Sequence, residues 1–290
     1  MQQLDGIHHT PVMLRQVVSS LNVCPGGKYV DCTLGDGGHT SEILAKSSPT
    51  GAVLGIDADP EAIQQTMNRL HNYGDRIVAV NANFGSVASL AHKNGFIPVD
   101  GILFDLGLSS RQLDLENRGF SFRRSAPLDM RFGITGTTAS ELVNDLSEQN
   151  LANLIYEFGD ERKSRRIARA IVNSRPIEDA LQLAEIVAKA AGYKKGRTHP
   201  ATRTFQALRI VTNNEIENLR SGLDQAVSIL KTGGRLVTIA YHSLEDREIK
   251  KFFAHQNLQP LSKKVLKPEP EEISNNRRSR SARMRVAERV

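Results

Sequence analysis

Short apolar runs alternate with amphipathic segments through the first third of the chain. The predicted strands lie at residues 29–34, 52–57, 76–80 and 100–105, and the predicted helices between them lie at 40–46, 60–70 and 86–93. Strands that are almost continuously apolar are buried on both faces, which is typical of a parallel sheet covered by helices. The alternation therefore predicts an α/β fold built on a doubly wound parallel sheet.

The alternation stops near residue 108 and resumes near the end of the chain. Apolar residues at three- and four-residue spacing predict helices at 139–146, 148–158, 162–174 and 177–191. A strand pattern returns at 233–240, between helical segments at 213–230 and 244–253. We expect one sheet domain interrupted by an inserted helical, substrate-recognition domain, with segments 1–107, 108–204 and 205–290.

Composition and cysteine content favour a globular protein of a reducing compartment. Hydrophobic residues make up 39% of the 290 residues and charged residues 24%, and no apolar run approaches the roughly 20 residues that span a bilayer. The start of the chain lacks the basic and apolar regions of a secretory signal. Cys24 and Cys32 are too few for a disulfide framework. We therefore expect a cytoplasmic protein with no membrane association.

The positive charge is concentrated at the end of the chain. The formal net charge is +6, and residues 263–290 hold nine basic residues against four acidic ones. The terminal cluster consists of Arg277, Arg278, Arg280, Arg283 and Arg285. Such a cluster suits binding to a phosphate backbone, since each neutralised phosphate releases counterions. A solvated, partly disordered tail explains the same charges, and both interpretations stay open.

A glycine-rich turn follows the first predicted strand. Gly35, Gly37 and Gly38 lie there, where the absence of Cβ atoms lets a ligand approach the backbone at the carboxyl edge of the sheet. Asp57 ends the second predicted strand, 19 positions after Gly38. A carboxylate at about this spacing accepts hydrogen bonds from ribose hydroxyls. This pattern predicts a cofactor that contains adenosine.

The turn favours S-adenosylmethionine over a nicotinamide dinucleotide. A dinucleotide site has a third glycine three positions after the second, but Ser41 stands at that place, and Asp36 adds negative charge that would repel a pyrophosphate. S-adenosylmethionine carries no phosphate. A nicotinamide site and a purely structural turn remain the alternatives.

Several strings, in order along nearly the whole chain, carry a resemblance to a known family. They are residues 9–12 (HTPV), 31–40 (DCTLGDGGHT), 100–113 (DGILFDLGLSSRQL), 118–122 (RGFSF), 127–131 (PLDMR), 199–209 (HPATRTFQALR) and 241–247 (YHSLEDR). The chain resembles the RsmH or MraW family of small-subunit (16S) ribosomal RNA cytosine-N4 methyltransferases. The resemblance implies a Rossmann-like class I S-adenosylmethionine methyltransferase sheet with an inserted helical domain.

The resemblance also implies a set of cofactor contacts. They are Gly37, Gly38, His39, Asp57, Phe84, Asp105 and Gln112. The chemistry is compatible, because Asp57 suits ribose hydroxyls, Phe84 offers an apolar face to adenine and Asp105 ends a strand near the methionine moiety. Phe84 as ordinary core and Gln112 as a surface amide are the structural alternatives. No metal-binding residues are predicted, since no local cluster has ligand spacing, but metal dependence stays open because His8, His9 and scattered Asp residues could help to bind a metal ion.

The implied reaction transfers a methyl group to the exocyclic amine of cytosine. This amine is a poor nucleophile, so the site must position it and accept a hydrogen bond from its N–H. Many amino-methyltransferases have an Asp/Asn-Pro-Pro-aromatic tetrapeptide after the fourth strand, whereas residues 105–108 read DLGL. The catalytic residue is therefore unknown. The candidates near the carboxyl edge are Asp105, Ser109, Ser110, His242 and Ser243.

Two motif residues also have structural alternatives. His242 alone favours a structural role, with Ser243 capping the next helix and Asp246 completing a box-like start. Arg203 and Arg209 suit phosphate binding, but Arg203 equally suits a role in pinning the insertion to the sheet.

Ribosomal RNA, within the small ribosomal subunit, is the expected partner, and a homodimer is left open. Basic residues in 161–166, with Lys194, Lys195 and Arg197, add positive charge to the insertion. A nicotinamide oxidoreductase and a non-catalytic RNA-binding assembly factor are the competing functions.

Overall fold

The computed structural model describes residues 11–108, 118–192, 199–255 and 257–290. The strands are β1 (Lys28–Asp31), β2 (Ala52–Asp57), β3 (Ile77–Asn81), β4 (Val99–Asp105), β5 (Leu230–Ala240), β6 (Leu258–Pro260) and β7 (Arg283–Arg289). The helices are α1 (Leu14–Ser20), α2 (Gly38–Lys46), α3 (Pro60–Arg69), α4 (Val87–Lys93), α5 (Ala139–Asp145), α6 (Glu148–Gly159), α7 (Ser164–Val172), α8 (Ala180–Ala191), α9 (Ala201–Thr212), α10 (Glu215–Ile229), α11 (Ser243–His255) and α12 (Pro270–Asn275). Short 3₁₀ helices occur at His71–Arg76, Phe84–Ser86 and Arg277–Ser281.

The seven strands form one sheet in the order β3-β2-β1-β4-β5-β7-β6. The first five strands pair in parallel, which confirms the predicted Rossmann-like α/β fold. β7 pairs antiparallel with β5 and with β6, so the sheet is mixed, not wholly parallel as expected. The sequence interpretation missed β7, because the basic residues of 283–289 obscured the strand pattern, and it also missed β6, which has only three residues.

Both faces of the sheet are buried, as the apolar strands predicted. Neighbouring residues of one strand enter different clusters: Val30, Ile102 and Phe104 pack on one face, and Tyr29 and Leu103 on the other. All five are at most 1% exposed. Because side chains alternate along a strand, this division requires an apolar layer on each side of the sheet.

The terminal basic segment is part of the sheet and not a disordered tail. Met284 and Val286 of β7 are buried in the cluster that contains Val237 and Ile239 of β5. Arg285 points to the other side of the strand, where its Nε lies 2.7 Å from Asp246 Oδ1 on α11. The disordered-tail interpretation is therefore wrong for β7, because alternation buries apolar residues and pairs the arginine between them.

The chain divides into two compact units, Met1–Gly107 with Ile216–Val290, and Leu108–Glu215. The second boundary differs from the expected 204/205, because α9 packs on α6 within the helical unit. That helix was missed as an element, although its sequence was singled out as a motif.

The helical unit has its own core and its own caps. Its buried cluster includes Leu151, Ile155, Ile167 and Leu208. Thr138 begins α5 with a capping box, in which its side chain and Glu141 each accept from the other's backbone N–H. Such a core and caps let the unit be described as a domain. None of the helices in the described part of the chain is both long and apolar enough to cross a membrane.

The Arg285–Asp246 pair generates a stability prediction. Both side chains are only 16% exposed, so Arg285→Ala leaves a largely buried carboxylate with fewer donors. We expect Arg285→Ala to lower the free energy of unfolding by about 2 kcal/mol, measured by urea denaturation. Arg277→Ala, at an exposed arginine of the same segment, is the control. Equal effects of the two substitutions would contradict a structural role for Arg285.

Candidate active site at the carboxyl edge of the sheet

The five parallel strands bring three carboxylates to one edge of the sheet. Asp31 ends β1, Asp57 ends β2 and Asp105 ends β4. Since parallel strands all end at the same edge, residues distant in sequence meet there, and ligands of open α/β sheets bind beyond this edge. These carboxylates and the turn after β1 form the candidate site.

The turn after β1 is shaped by its glycines. Gly35 and Gly37 have φ values of 49° and 67°, in the left-handed region that favours glycine. A Cβ atom on Gly37 would overlap Thr66 Cγ2, and one on Gly38 would overlap Pro11 Cγ. The turn therefore requires glycine at both predicted positions. Gly37 is the N-cap residue of α2 and, as a glycine, offers no side chain to the backbone N–H groups of the first turn of this helix.

Asp57 connects the end of β2 to this turn. Its Oδ2 accepts a hydrogen bond from the Gly35 N–H at 2.8 Å, and its Oδ1 accepts one from the Asp59 N–H at 2.9 Å. Burial raises the pKa of Asp57 to about 6, although both hydrogen bonds act to lower it. A carboxylate has about four lone-pair positions, so each oxygen can accept a further hydrogen bond from a ligand.

Phe84 follows β3 in a 3₁₀ helix. Its ring contacts Phe104 edge to face, with ring centroids 5.4 Å apart and planes at 85°. The side chain is partly buried and packs against the core cluster that includes Phe104. The structure thus gives Phe84 a core contact on one side while leaving part of its surface accessible.

Asp105 lies between a tyrosine and a histidine. The Tyr241 hydroxyl donates to Asp105 Oδ1 at 2.8 Å, and His39 Nδ1 is 3.8 Å from Asp105 Oδ2. The other ring nitrogen of His39, Nε2, donates to the Val12 carbonyl oxygen at 3.0 Å. The ring of Tyr241 packs directly on Gly107, where a Cβ would lie 2.6 Å from it. These contacts hold the Asp105 carboxyl group in one orientation.

Burial raises the pKa of Asp105, and the neighbouring His39 and Tyr241 act to lower it. Asp31, at the end of the neighbouring strand β1, is only 1% exposed. Its carboxyl group accepts hydrogen bonds from the Thr40 hydroxyl at 2.7 Å and from the Thr33 N–H at 3.1 Å. Burial likewise raises the pKa of Asp31. Two buried carboxyl groups near one imidazole form a strongly coupled polar network.

Sequence reasoning missed Tyr241 and Asp31 as members of this site. Both stood inside quoted motifs: Asp31 at the end of the first strand, and Tyr241 directly after the fifth. Their position at strand ends was the available signal. The contact of Tyr241 with Asp105, 136 positions earlier, is a tertiary feature with no local signature.

His242 occupies a helix cap. Its Nδ1 accepts from the Glu245 N–H at 3.3 Å, and its Nε2 lies 3.0 Å from Glu245 Oε1. Glu245 in turn accepts from the Tyr241 N–H at 2.8 Å. The expected cap by Ser243 and Asp246 is therefore wrong: Ser243 is exposed, and Asp246 pairs with Arg285, because Glu245 reaches back to the start of α11 instead.

The remaining predicted site residues have mixed outcomes. Ser109, Ser110 and Gln112 lie outside the described residues. Arg209 forms a two-bond pair with Glu215, with both N···O distances 2.7 Å, and each side chain is 13% exposed. The pair is internal to the helical unit, so a phosphate-binding role for Arg209 is not supported.

The basic residues of the helical unit fall into paired and exposed groups. Arg203 donates to the Asp160 carbonyl oxygen at 2.8 Å, within the helical unit, so this contact does not pin the unit to the sheet. Arg162, Arg165 and Arg166 are exposed. Lys194, Lys195 and Arg197 lie outside the described residues.

Comparisons with known proteins cover nearly the whole chain. The profile of the MraW methylase family matches residues 6–290. A protein of Dehalococcoides mccartyi, named ribosomal RNA small subunit methyltransferase H, is 49% identical over 97% of this chain and 86% of its own length. A protein of the same name from Synechococcus elongatus is 48% identical over 99% of this chain and 97% of its own.

A solved structure of an rRNA methylase from Streptococcus thermophilus is also similar, with a TM-score of 0.46 and 11% identity over 98% of this chain and 99% of that one. The resemblance drawn from the motifs is confirmed at the level of the family by the profile and the sequence relatives. The chain belongs to the MraW methylase family.

Proposed function

We propose that this protein methylates the exocyclic N4 of a specific cytosine in small-subunit (16S) ribosomal RNA. The observation that carries the proposal is the nearly full-length similarity to relatives named ribosomal RNA small subunit methyltransferase H. The cytosine and its N4 atom come from the motif resemblance described above. The geometry at the carboxyl edge supports the cofactor part of the proposal.

The residues at this edge fit S-adenosylmethionine. Gly37, at the N-cap of α2, has no side chain that could cap the backbone N–H groups of the first turn, and these groups suit the methionine carboxylate. The free lone pairs of Asp57 suit the two ribose hydroxyls, and the accessible part of Phe84 suits adenine. When bound, S-adenosylmethionine supplies a methyl group activated by a sulfonium.

Asp105 is proposed to orient the reacting end of the cofactor site. Tyr241 holds one carboxyl oxygen, and the other faces His39 at 3.8 Å. A carboxylate so placed attracts the cofactor's ammonium group electrostatically, and the low-dielectric surroundings strengthen that attraction. His39 and Gly38 belong to the same turn, so the turn and Asp105 act on one end of the ligand.

The target amine needs a hydrogen-bond acceptor as its nitrogen becomes tetrahedral. Among the candidates, Asp105 places a carboxyl group at the cofactor edge, whereas Nδ1 of His242 already accepts a hydrogen bond from the Glu245 N–H. Ser243 is exposed at the start of α11. Ser109 and Ser110, directly after the fourth strand in sequence, remain candidates together with Asp105.

The helical unit is proposed as the substrate-recognition domain. Three exposed arginines lie around the start of α7, at the three- and four-residue spacing that brings side chains to one face of a helix: Arg162, Arg165 and Arg166. None of them makes an ion pair with a residue in the described ranges. Cations in such an arrangement suit successive RNA phosphates, and the binding they provide weakens with salt.

The first test is transfer of labelled methyl from S-adenosylmethionine to small ribosomal subunits from cells that lack this protein. We expect label in a single cytosine, with the methyl group on N4, identified by nuclease digestion and mass spectrometry. Binding of cofactor and RNA without transfer would favour a non-catalytic assembly factor. Hydride transfer from a reduced nicotinamide, with no methyl transfer, would favour the oxidoreductase alternative.

The second prediction concerns the pH dependence of cofactor binding. Ribose hydroxyls donate to the ionised Asp57, so binding favours the carboxylate form. Since the pKa of Asp57 is about 6 without ligand, affinity should be highest above pH 6 and fall as the pH drops through 6. Calorimetric titration from pH 5 to pH 8 measures this change.

Two substitutions assign that pH dependence. We expect Asp57→Asn to flatten the fall and to weaken binding at pH 7.5 by roughly 100-fold, because hydrogen bonds to a charged group are lost. Asp75→Asn, at an exposed aspartate of the same unit, should leave the profile unchanged. An unchanged profile in Asp57→Asn would remove Asp57 from the ribose site.

The third prediction concerns Tyr241. Tyr241→Phe removes the donor to Asp105 Oδ1, and since that hydrogen bond lowers the pKa of Asp105, the pKa should rise. We expect methyl transfer at pH 7 to fall about tenfold and its acid limb to move to higher pH. Tyr73→Phe, which removes a 3.3 Å hydrogen bond to the Ser41 carbonyl, is the control. A uniform loss with no shift of the pH profile would contradict this role.

A further inference from the structure

The arginines near the end of the chain fall into two groups with different surroundings. Arg283 and Arg285 pair with Asp246, at 3.4 Å and 2.7 Å, and Arg289 donates to the Leu230 carbonyl oxygen. Arg277 and Arg280 are exposed, and neither makes an ion pair or side-chain hydrogen bond within the described ranges. The first group stabilises the fold, and the second is available to a ligand.

The direction of β7 places the second group at the cofactor edge. β7 runs antiparallel to β5, and its first residue, Arg283, is paired with Ala240, the last residue of β5. The amino end of β7 therefore lies where the parallel strands end. The 3₁₀ helix Arg277–Ser281 directly precedes β7, so Arg277 and Arg280 lie near the carboxyl edge and not at the opposite one.

The 3₁₀ helix is anchored to the sheet unit. Ser279 is fully buried, and its hydroxyl donates to the Asn276 carbonyl oxygen at 2.8 Å. Ala282, 2% exposed, belongs to the buried cluster that includes Val12 and Met13, and the partly buried Tyr241 packs against this cluster. The backbone between the two arginines is thus held in place, which reduces the entropy lost when they bind a ligand.

Two contacts connect this segment to the cofactor site. Met13 N–H donates to Glu272 Oε1 on α12 at 2.7 Å, and the residue before Met13, Val12, accepts from His39. Tyr241, which packs against the same cluster as Ala282, donates to Asp105. His39 and Asp105 therefore contact residues, Val12 and Tyr241, that belong to or pack against the cluster holding Ala282, directly after the 3₁₀ helix.

We infer that Arg277 and Arg280 form a phosphate-binding surface beside the cofactor site, for the backbone of the RNA strand that carries the target base. The inference rests on the proposed function. Guanidinium groups bind phosphate oxygens with two parallel hydrogen bonds, and two of them three positions apart suit consecutive phosphates of a single strand. Glu269 precedes α12 and Glu271 lies in its first turn, whereas Arg277 follows the end of this helix.

The test compares wild type with Arg277→Gln/Arg280→Gln for binding to small ribosomal subunits from cells that lack this protein. We expect affinity at 0.1 M salt to fall on the order of tenfold. The slope of log affinity against log salt should become shallower by about 1.4 to 1.8, the contribution of two phosphates. Affinity for S-adenosylmethionine should be unchanged, because neither arginine belongs to that site.

Lys46→Gln/Lys93→Gln is the matched control. Both lysines are exposed and end helices, α2 and α4, that lead into the amino ends of parallel strands. The control removes the same charge from the opposite edge of the sheet, and its binding and salt slope should stay close to wild type. Equal losses in both double variants would overturn the inference, since they would reflect net charge alone.

Three further outcomes separate folding from binding and separate this inference from the proposed function. Arg277→Lys/Arg280→Lys keeps both charges and should retain the wild-type slope, and a slope as shallow as that of the glutamine variant would overturn the inference. The inference is also overturned if the wild-type protein transfers methyl groups but the glutamine variant binds RNA as tightly as wild type. If the glutamine variant binds RNA more weakly but the wild-type protein transfers no methyl group, the phosphate-binding surface is supported and the proposed function is rejected.

Discussion

The site depends on one constraint: five parallel strands end at the same edge, and three of them end in an aspartate. Asp31, Asp57 and Asp105 are thereby gathered where little water reaches them, and burial raises the pKa of each. Carboxyl groups in such surroundings need donors. The carboxyl groups are surrounded by such donors: the backbone of the turn, Thr40, Tyr241 and His39. Much of the local structure therefore supplies hydrogen bonds or positive charge to the three aspartates.

The antiparallel strand β7 has a second structural consequence. It inserts between β5 and β6 and returns the chain to the carboxyl edge, so that residues near 280 lie close to Tyr241. Helix α11 stabilises the same region. Glu245 accepts a hydrogen bond from the Tyr241 N–H at the start of the helix, and Asp246 pairs with Arg283 and Arg285 of β7. A single helix thus connects the cofactor edge with the basic strand.

Elements with strong local patterns were predictable. The turn with Gly37 and Gly38 and the strand ends at Asp57 and Asp105 lie where the periodicity and the motifs placed them. The prediction missed α9 and β7, because a motif rich in polar residues hides the helix and arginine alternation hides the strand. The cap of α11 was misassigned for a related reason, since several nearby polar residues compete and only the packed geometry selects Glu245.

The sequence by itself determined the alternation of the first four strands with their helices, the glycine turn and the family, because spacing and composition over short stretches carry these features. The tertiary structure decided which polar groups meet. The Tyr241–Asp105 bond joins residues 136 positions apart, and the Arg285–Asp246 pair joins residues 39 positions apart. Such contacts follow from strand direction and register, which neighbouring residues do not encode. For this reason, arginines that look alike in the sequence near the end of the chain have different roles. Arg283 and Arg285 stabilise the fold, whereas Arg277 and Arg280 are exposed and available to a ligand.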